Sequence, residues 1–67
     1  METIYYYRFS IDGSYYQLLL KNNNKDFIYL STNGEYCGYW MNELNKLPKE
    51  IESIIRRVHK LYFSAFA

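Results

Sequence analysis

Residues 3–20, TIYYYRFSIDGSYYQLLL, decide the fold of this 67-residue chain. The first half, residues 3–11, is β-branched and aromatic almost throughout, which is typical of a β-strand. Asp12-Gly13 is the dipeptide that a two-residue type I′ hairpin turn favours, because both central residues of that turn need positive φ. The stretch therefore predicts an antiparallel hairpin that turns at Asp12 and Gly13.

This turn determines which side chains share a face of the hairpin. One face is almost entirely apolar and pairs Ile11 with Ser14, Phe9 with Tyr16, Tyr7 with Leu18 and Tyr5 with Leu20. The other face is mixed and pairs Ser10 with Tyr15, Arg8 with Gln17, Tyr6 with Leu19 and Ile4 with Lys21. We expect the mixed face to be the more solvent-exposed of the two.

A second hairpin follows the polar segment 21–26, KNNNKD, which is typical of a loop. Residues 27–31 predict a third strand, and Asn33-Gly34 is another turn dipeptide that sends the chain back through residues 35–40. A simple register places Ile28 opposite Tyr39 and Leu30 opposite Cys37 on one face, and Phe27 opposite Trp40 and Tyr29 opposite Gly38 on the other. Gly38 is expected either to leave space for the Tyr29 ring or to mark a bulge.

The hydrophobic period changes after residue 47, from alternation to the 3.6-residue period of a helix. Pro48 suits the first position of a helix, where its missing N–H group is not needed. Apolar side chains then recur on one stripe, at Ile51, Ile54, Ile55, Val58, Leu61 and Tyr62. The sequence predicts a helix over residues 48–62. Residues 1–67 are therefore expected to form one α+β domain, a four-stranded antiparallel meander sheet followed by a C-terminal amphipathic helix packed on one face.

One helix can cover only one face of this sheet, and the sequence leaves open which one. The face that carries Tyr5, Tyr7 and Tyr16 is the more apolar, so we expect the helix to cover it. The side chains then expected to remain uncovered are Tyr6, Tyr15, Leu19, Ile28, Leu30 and Tyr39. The tail FSAFA, residues 63–67, is expected either to fold back over the sheet or to join an interface.

The composition narrows the class of protein. A hydrophobic fraction of 49% with 22% charged residues is typical of a globular chain. The single cysteine excludes an internal disulfide framework, so a reducing cytoplasm is the expected compartment. No basic stretch leads into an apolar run near the N-terminus, and no apolar run is long enough to span a bilayer, so neither secretion nor membrane insertion is expected.

The chain offers little for catalysis or cofactor binding. Cys37 and His59 would need an orienting third group to act as nucleophile and base, and each is better explained as a structural residue. One cysteine and one histidine make a poor zinc site, and the three glycines suit hairpin positions rather than a phosphate loop. The sequence predicts no enzyme, no cofactor and no metal site.

A surplus of aromatic side chains favours a protein-binding module. Tyrosine offers a large, rigid and amphipathic contact, which is why interfaces are enriched in it. The predicted protein-binding residues are Tyr6, Arg8, Tyr15, Gln17, Leu19 and Tyr39. The hypothesis is an inhibitor or adaptor that docks on a larger intracellular protein. Thirty of the 67 residues are Asn, Lys, Ile, Tyr or Phe, the amino acids whose codons are poorest in G and C. This bias favours an AT-rich genome, such as that of a low-GC bacterium or one of its phages, and the hypothesis extends to a phage or mobile-element protein that acts on host machinery.

Two alternatives stay open. A small nucleic-acid-binding protein could hold phosphates with a basic helix face and stack bases on sheet tyrosines. The helix residues of this alternative are Lys49, Arg56, Arg57 and Lys60. The net charge of +1 gives little of the positive field that such proteins usually carry. The third hypothesis is a homodimeric structural protein.

Overall fold

A computed structural model describes residues 2–64 of the chain. In chain order, its elements are β1 (Ile4–Ile11), β2 (Ser14–Lys21), β3 (Asn24–Thr32), β4 (Glu35–Trp40), a 3₁₀ helix (Met41–Lys46) and α1 (Lys49–Ser64). The strands form one antiparallel sheet in the order β1-β2-β3-β4. This architecture confirms the predicted α+β meander with a C-terminal helix.

The two predicted hairpin turns have the backbone that their sequences favour. Asp12 and Gly13 have φ angles of 49° and 82°, and Asn33 and Gly34 have φ angles of 50° and 95°. Positive φ at both central residues is the requirement of a type I′ turn, whose twist matches that of the strands it joins. Both hairpins are therefore confirmed.

The connection between β2 and β3 is shorter than predicted. Only Asn22 and Asn23 form the turn, and β3 already begins at Asn24, so most of the expected loop is strand. Lys21 pairs with Asn24, and the register shifts between Leu19 and Lys21. The polar residues 24–26 therefore belong to β3, next to this irregularity in the pairing. The hydrophobic periodicity of the sequence did not indicate that these residues are part of the strand.

The core lies between the sheet and the helix. Its buried side chains are Leu18, Leu20, Ile28, Leu30, Leu44, Ile51, Ile55 and Val58. The Tyr62 ring of α1 stacks on Tyr5 of β1, with ring centroids 4.8 Å apart. The helix thus covers the face that the sequence favoured, and we call it the covered face.

Three side chains expected on the uncovered side lie on the covered face instead. Leu30 pairs with Leu18, which shares its face, and Ile28 and Tyr39 follow on the same side. Ile28 and Leu30 are buried, and Tyr39 packs at the edge of the core. The prediction was wrong because each turn determines the register within its own hairpin but not between the two hairpins.

The helix departs from its predicted apolar stripe near its end. Leu61 is 68% exposed, whereas Tyr62 is half-buried against the sheet. Phe63, from the predicted tail, packs against the His59 ring with centroids 4.6 Å apart. Residues 65–67 of that tail lie outside the described residues.

Candidate functional site

The sheet has a second face, opposite the helix, that no described element covers. We call it the open face. Its aromatic side chains come from all four strands and are Tyr6, Tyr15, Phe27, Tyr29, Tyr36 and Trp40. Tyr15 is 74% exposed, and Tyr6, Tyr36 and Trp40 are each about half exposed. Such a concentration of exposed rings is unusual for one face of a small domain.

A polar row crosses the middle of the open face. Arg8, Gln17, Ser31 and Tyr36 lie side by side on β1, β2, β3 and β4. Arg8 donates through Nε to Gln17 Oε1 at 2.9 Å, and Gln17 Nε2 donates to the Tyr36 hydroxyl at 2.8 Å. From here on, the name polar row refers to the three hydrogen-bonded side chains, Arg8, Gln17 and Tyr36, without Ser31. Its bonds bridge over Ser31, which is only 5% exposed.

Two depressions flank the polar row. One has a volume of about 450 Å³, with Tyr15 and Tyr36 among its walls and Ser31 among the residues beneath. The other has a volume of about 580 Å³ and is lined by Tyr6 together with the three residues of the polar row. The open face therefore contains two depressions that could accommodate side chains of a partner protein.

An aromatic cluster occupies the other end of the open face. Phe27 packs edge to face against Tyr29 and Trp40, with ring centroids 5.2 and 4.8 Å away. The Lys21 ammonium group lies 5.2 Å from the centre of the Tyr29 ring, which is a cation–π contact. Gly38 lies beneath the Phe27 ring. It leaves space for a ring as expected, but for Phe27 rather than Tyr29.

Basic side chains lie on the open face, and one carboxylate lies at its rim. Arg8 and Lys21 are basic side chains of this face. Glu2, at the rim, lines a depression with Lys21, Phe27 and Tyr29 and accepts a hydrogen bond from the Asn23 amide at 2.9 Å. The ion pairs between described residues lie elsewhere, at Lys46–Glu43 and Arg56–Glu52.

The structure brings five of the six predicted protein-binding residues together. Tyr6, Arg8, Tyr15, Gln17 and Leu19 all lie on the open face. The sixth, Tyr39, lies on the covered face and is partly buried against the core. A hydrogen bond with the Cys37 side chain and this partial burial raise the pKa of Tyr39 above its usual value of 10.0.

Sequence reasoning missed four aromatic members of the open face and one basic one. These residues are Lys21, Phe27, Tyr29, Tyr36 and Trp40. The alternation within the second hairpin already groups the rings of β3 and β4 on one face. Only the pairing of β2 with β3 shows that this face is the uncovered one.

The basic helix residues of the nucleic-acid alternative do not join this face. Lys49, Arg56, Arg57 and Lys60 are exposed on α1, which packs on the covered face. Arg56 also pairs with Glu52 at 3.0 Å. The sheet lies between these cations and the open-face tyrosines, so one short strand of nucleic acid could not contact both sets directly.

Cys37 and His59 have separate partners. The Nε2–H group of His59 donates to the Lys25 carbonyl oxygen at 2.6 Å, and Cys37 lies exposed on β4 beside the Gly38 carbonyl. Within residues 2–64, no three side chains of the metal-ligating types come together. No helix in that range is both long and apolar enough to cross a bilayer.

Comparisons with known proteins add no assignment. No family model matches the chain, and neither a curated protein nor a solved structure shows significant similarity to it.

Proposed function

We propose that this protein is a non-enzymatic binding module that docks through its open face onto a larger intracellular protein. The observation that carries the proposal is the exposure of four aromatic side chains on one side of a four-stranded sheet. A standard interface takes about 800 Å² from each partner, which is about one sixth of the 4783 Å² surface of this protein. One sheet face can supply that fraction.

The open face is already ordered for binding. Edge-to-face contacts hold the rings of Phe27 and Trp40, and the Tyr36 hydroxyl is held by Gln17. Side chains that are ordered before binding lose less conformational entropy when a partner arrives. Exposed tyrosines add apolar area while keeping their hydroxyl groups available to a polar rim.

Self-association through the open face is disfavoured by charge. A symmetric face-to-face dimer would bring together Arg8 and Lys21 from both copies. Arg8 forms no ion pair with a described carboxylate, and Glu2 lies beside Lys21 rather than in the depression beside Arg8, so the two guanidinium groups would be desolvated without a counter-charge. A different protein that supplies the opposite charge avoids this penalty.

Nucleic acid is also a poorer match to the open face than protein. Base stacking needs free ring faces, but Phe27 and Tyr29 are packed against each other and Lys21 lies over Tyr29. Two cations are few for a surface that must follow a phosphate backbone. Four of the remaining cations, Lys49, Arg56, Arg57 and Lys60, lie on α1, on the other side of the sheet.

A binding module of this size without catalytic groups acts by masking or by bridging, so an inhibitor or an adaptor is the proposed role. The surplus of amino acids with AT-rich codons supports a phage or mobile-element origin, and we include in the proposal that the target is a host protein.

The test compares the wild type with two variants in affinity capture from bacterial lysate, with and without nuclease. The Tyr6→Ser/Tyr15→Ser variant removes two exposed rings from the open face, and Leu61→Ser removes an exposed apolar side chain from α1. We expect wild type and Leu61→Ser to retain the same protein at near-stoichiometric amounts after nuclease treatment, and the tyrosine variant to lose it. Equal retention by all three proteins would contradict the proposal, as would retention of nuclease-sensitive material alone.

A further inference from the structure

The hydrogen bonds of the polar row all run in one direction. Arg8 can only donate, so Gln17 must present its carbonyl oxygen to Arg8 and its NH₂ group to Tyr36. The Tyr36 oxygen is then an acceptor, and its own O–H group is left to donate. No hydrogen bond donated by Tyr36 occurs among residues 2–64.

Both ends of the polar row therefore present unused donors. Arg8 uses only its Nε–H group, so the four N–H groups on its two terminal nitrogens remain available. No described carboxylate forms an ion pair with Arg8. The depression of about 580 Å³ is lined by the residues that carry these donors, Arg8 and Tyr36, and by Gln17 and Tyr6.

We propose that this depression receives a carboxylate side chain of the partner protein, so that the docking surface of the partner is acidic. This inference rests on the proposed function and names the chemistry of the partner. The terminal nitrogens of Arg8 bind the two carboxylate oxygens, and the Tyr36 hydroxyl donates to one of them. Gln17 acts as a positioning residue that holds Arg8 and Tyr36 in place.

A carboxylate fits this site better than a phosphate. A single guanidinium matches the charge of one carboxylate and its planar pair of oxygens. Phosphates in a nucleic acid come in series and need several cations along a path. The neighbouring cation, Lys21, lies over the Tyr29 ring instead of lining this depression.

The experiment is an NMR titration of the ¹⁵N-labelled full chain with two capped peptides, acetyl-Leu-Glu-Leu-amide and acetyl-Leu-Gln-Leu-amide. Inorganic phosphate and a ten-residue oligothymidylate are titrated in parallel. The variants are Arg8→Gln, Tyr36→Phe, Tyr6→Ser and, as a matched charge control, Arg57→Gln on α1. Dispersed amide spectra establish that each variant is folded.

We expect the wild type to bind the Glu peptide at least about fivefold more tightly than the Gln peptide, since a hydrogen bond to a charged group contributes that much. The shifts should concentrate on the Arg8 Nε–H and Gln17 side-chain amide signals. Arg8→Gln should abolish the preference, Tyr36→Phe should reduce it about twofold or more, and Arg57→Gln should leave it unchanged.

Three results would overturn the inference: equal affinity for both peptides, an Arg57→Gln effect as large as that of Arg8→Gln, or tighter binding of phosphate or oligothymidylate than of the Glu peptide. If the wild type binds both peptides equally and Tyr6→Ser weakens the binding of both, the docking face stands and the carboxylate site is wrong. If the wild type binds both peptides equally and Tyr6→Ser leaves both affinities unchanged, the inference and the proposed docking face are both wrong.

Discussion

The Phe27 ring lies directly over Gly38, in the space that a side chain would otherwise occupy. A Cβ atom at Gly38 would approach Cε2 of this ring to 2.7 Å and Cζ more closely still. Gly38 has no positive φ, so its backbone does not need glycine. The residue is required by the packing of the aromatic cluster.

We expect Gly38→Ala to lower the free energy of unfolding by about 1–2 kcal/mol, because the Phe27 ring must move out of its contacts with Tyr29 and Trp40. In a strand without such a clash, the same change would stabilise by about 0.5–1 kcal/mol. Urea unfolding followed by circular dichroism measures the difference. In a Phe27→Leu background, the penalty should largely vanish, and a penalty that persists there would show that the ring is not its cause.

Two asparagines extend the sheet beyond the ends of its strands. Asn22 donates its backbone N–H to the Thr3 carbonyl and accepts the Thr3 N–H on its side-chain oxygen, at 3.0 and 2.8 Å. Asn33 makes the same pair of bonds with Tyr15, at 2.9 and 3.0 Å. Each asparagine thus links a turn to the neighbouring strand.

We expect Asn22→Ala to destabilise the protein by about 1 kcal/mol, which is the usual contribution of one such hydrogen bond. Asn33→Ala should cost about 2 kcal/mol, since alanine also disfavours the positive φ of residue 33. Asn33→Gly separates the two effects because glycine tolerates that φ but offers no acceptor. Thermal and urea unfolding of the three variants give the values, and equal losses for Asn33→Ala and Asn33→Gly would refute the backbone contribution.

Much of the fold could be predicted because local chemistry specifies it. Asp12-Gly13 and Asn33-Gly34 determine two hairpins, and the 3.6-residue period determines a helix. The pairing of β2 with β3 could not be predicted, because the irregularity near Lys21 has no simple periodic signature. This one register decides whether Ile28 is buried and whether the Phe27 ring is left on the open face.

The helix stripe offers a direct comparison between prediction and structure. Ile55 and Leu61 both belong to the predicted stripe, yet Ile55 is completely buried and Leu61 is 68% exposed. We expect Ile55→Ala to lower the free energy of unfolding by about 2–4 kcal/mol through loss of burial and the cavity left behind. Leu61→Ala should change it by less than about 0.5 kcal/mol. Comparable losses for the two variants would contradict the observed helix orientation.

Tyr39 should make the protein sensitive to alkali. A hydrogen bond with the Cys37 side chain is the main cause of the raised pKa of Tyr39, and partial burial raises it further. In the unfolded chain, the phenol loses its proton near pH 10, before the folded form does. The stabilising contribution of the neutral phenol is therefore complete below pH 10 and is lost as the pH rises through the folded pKa.

We expect the free energy of unfolding to fall more steeply above pH 10 in the wild type than in Tyr39→Phe, which has no phenol to titrate at residue 39. The difference between the two curves isolates the effect of residue 39, because every other side chain is the same in both proteins. Cys37→Ala should lower the pKa of Tyr39 towards 10.0, as followed by the ¹³Cζ shift of the ring, because its largest perturbing neighbour is then removed. Parallel stability curves for wild type and Tyr39→Phe from pH 9 to 11 would exclude this residue as the origin of alkaline sensitivity.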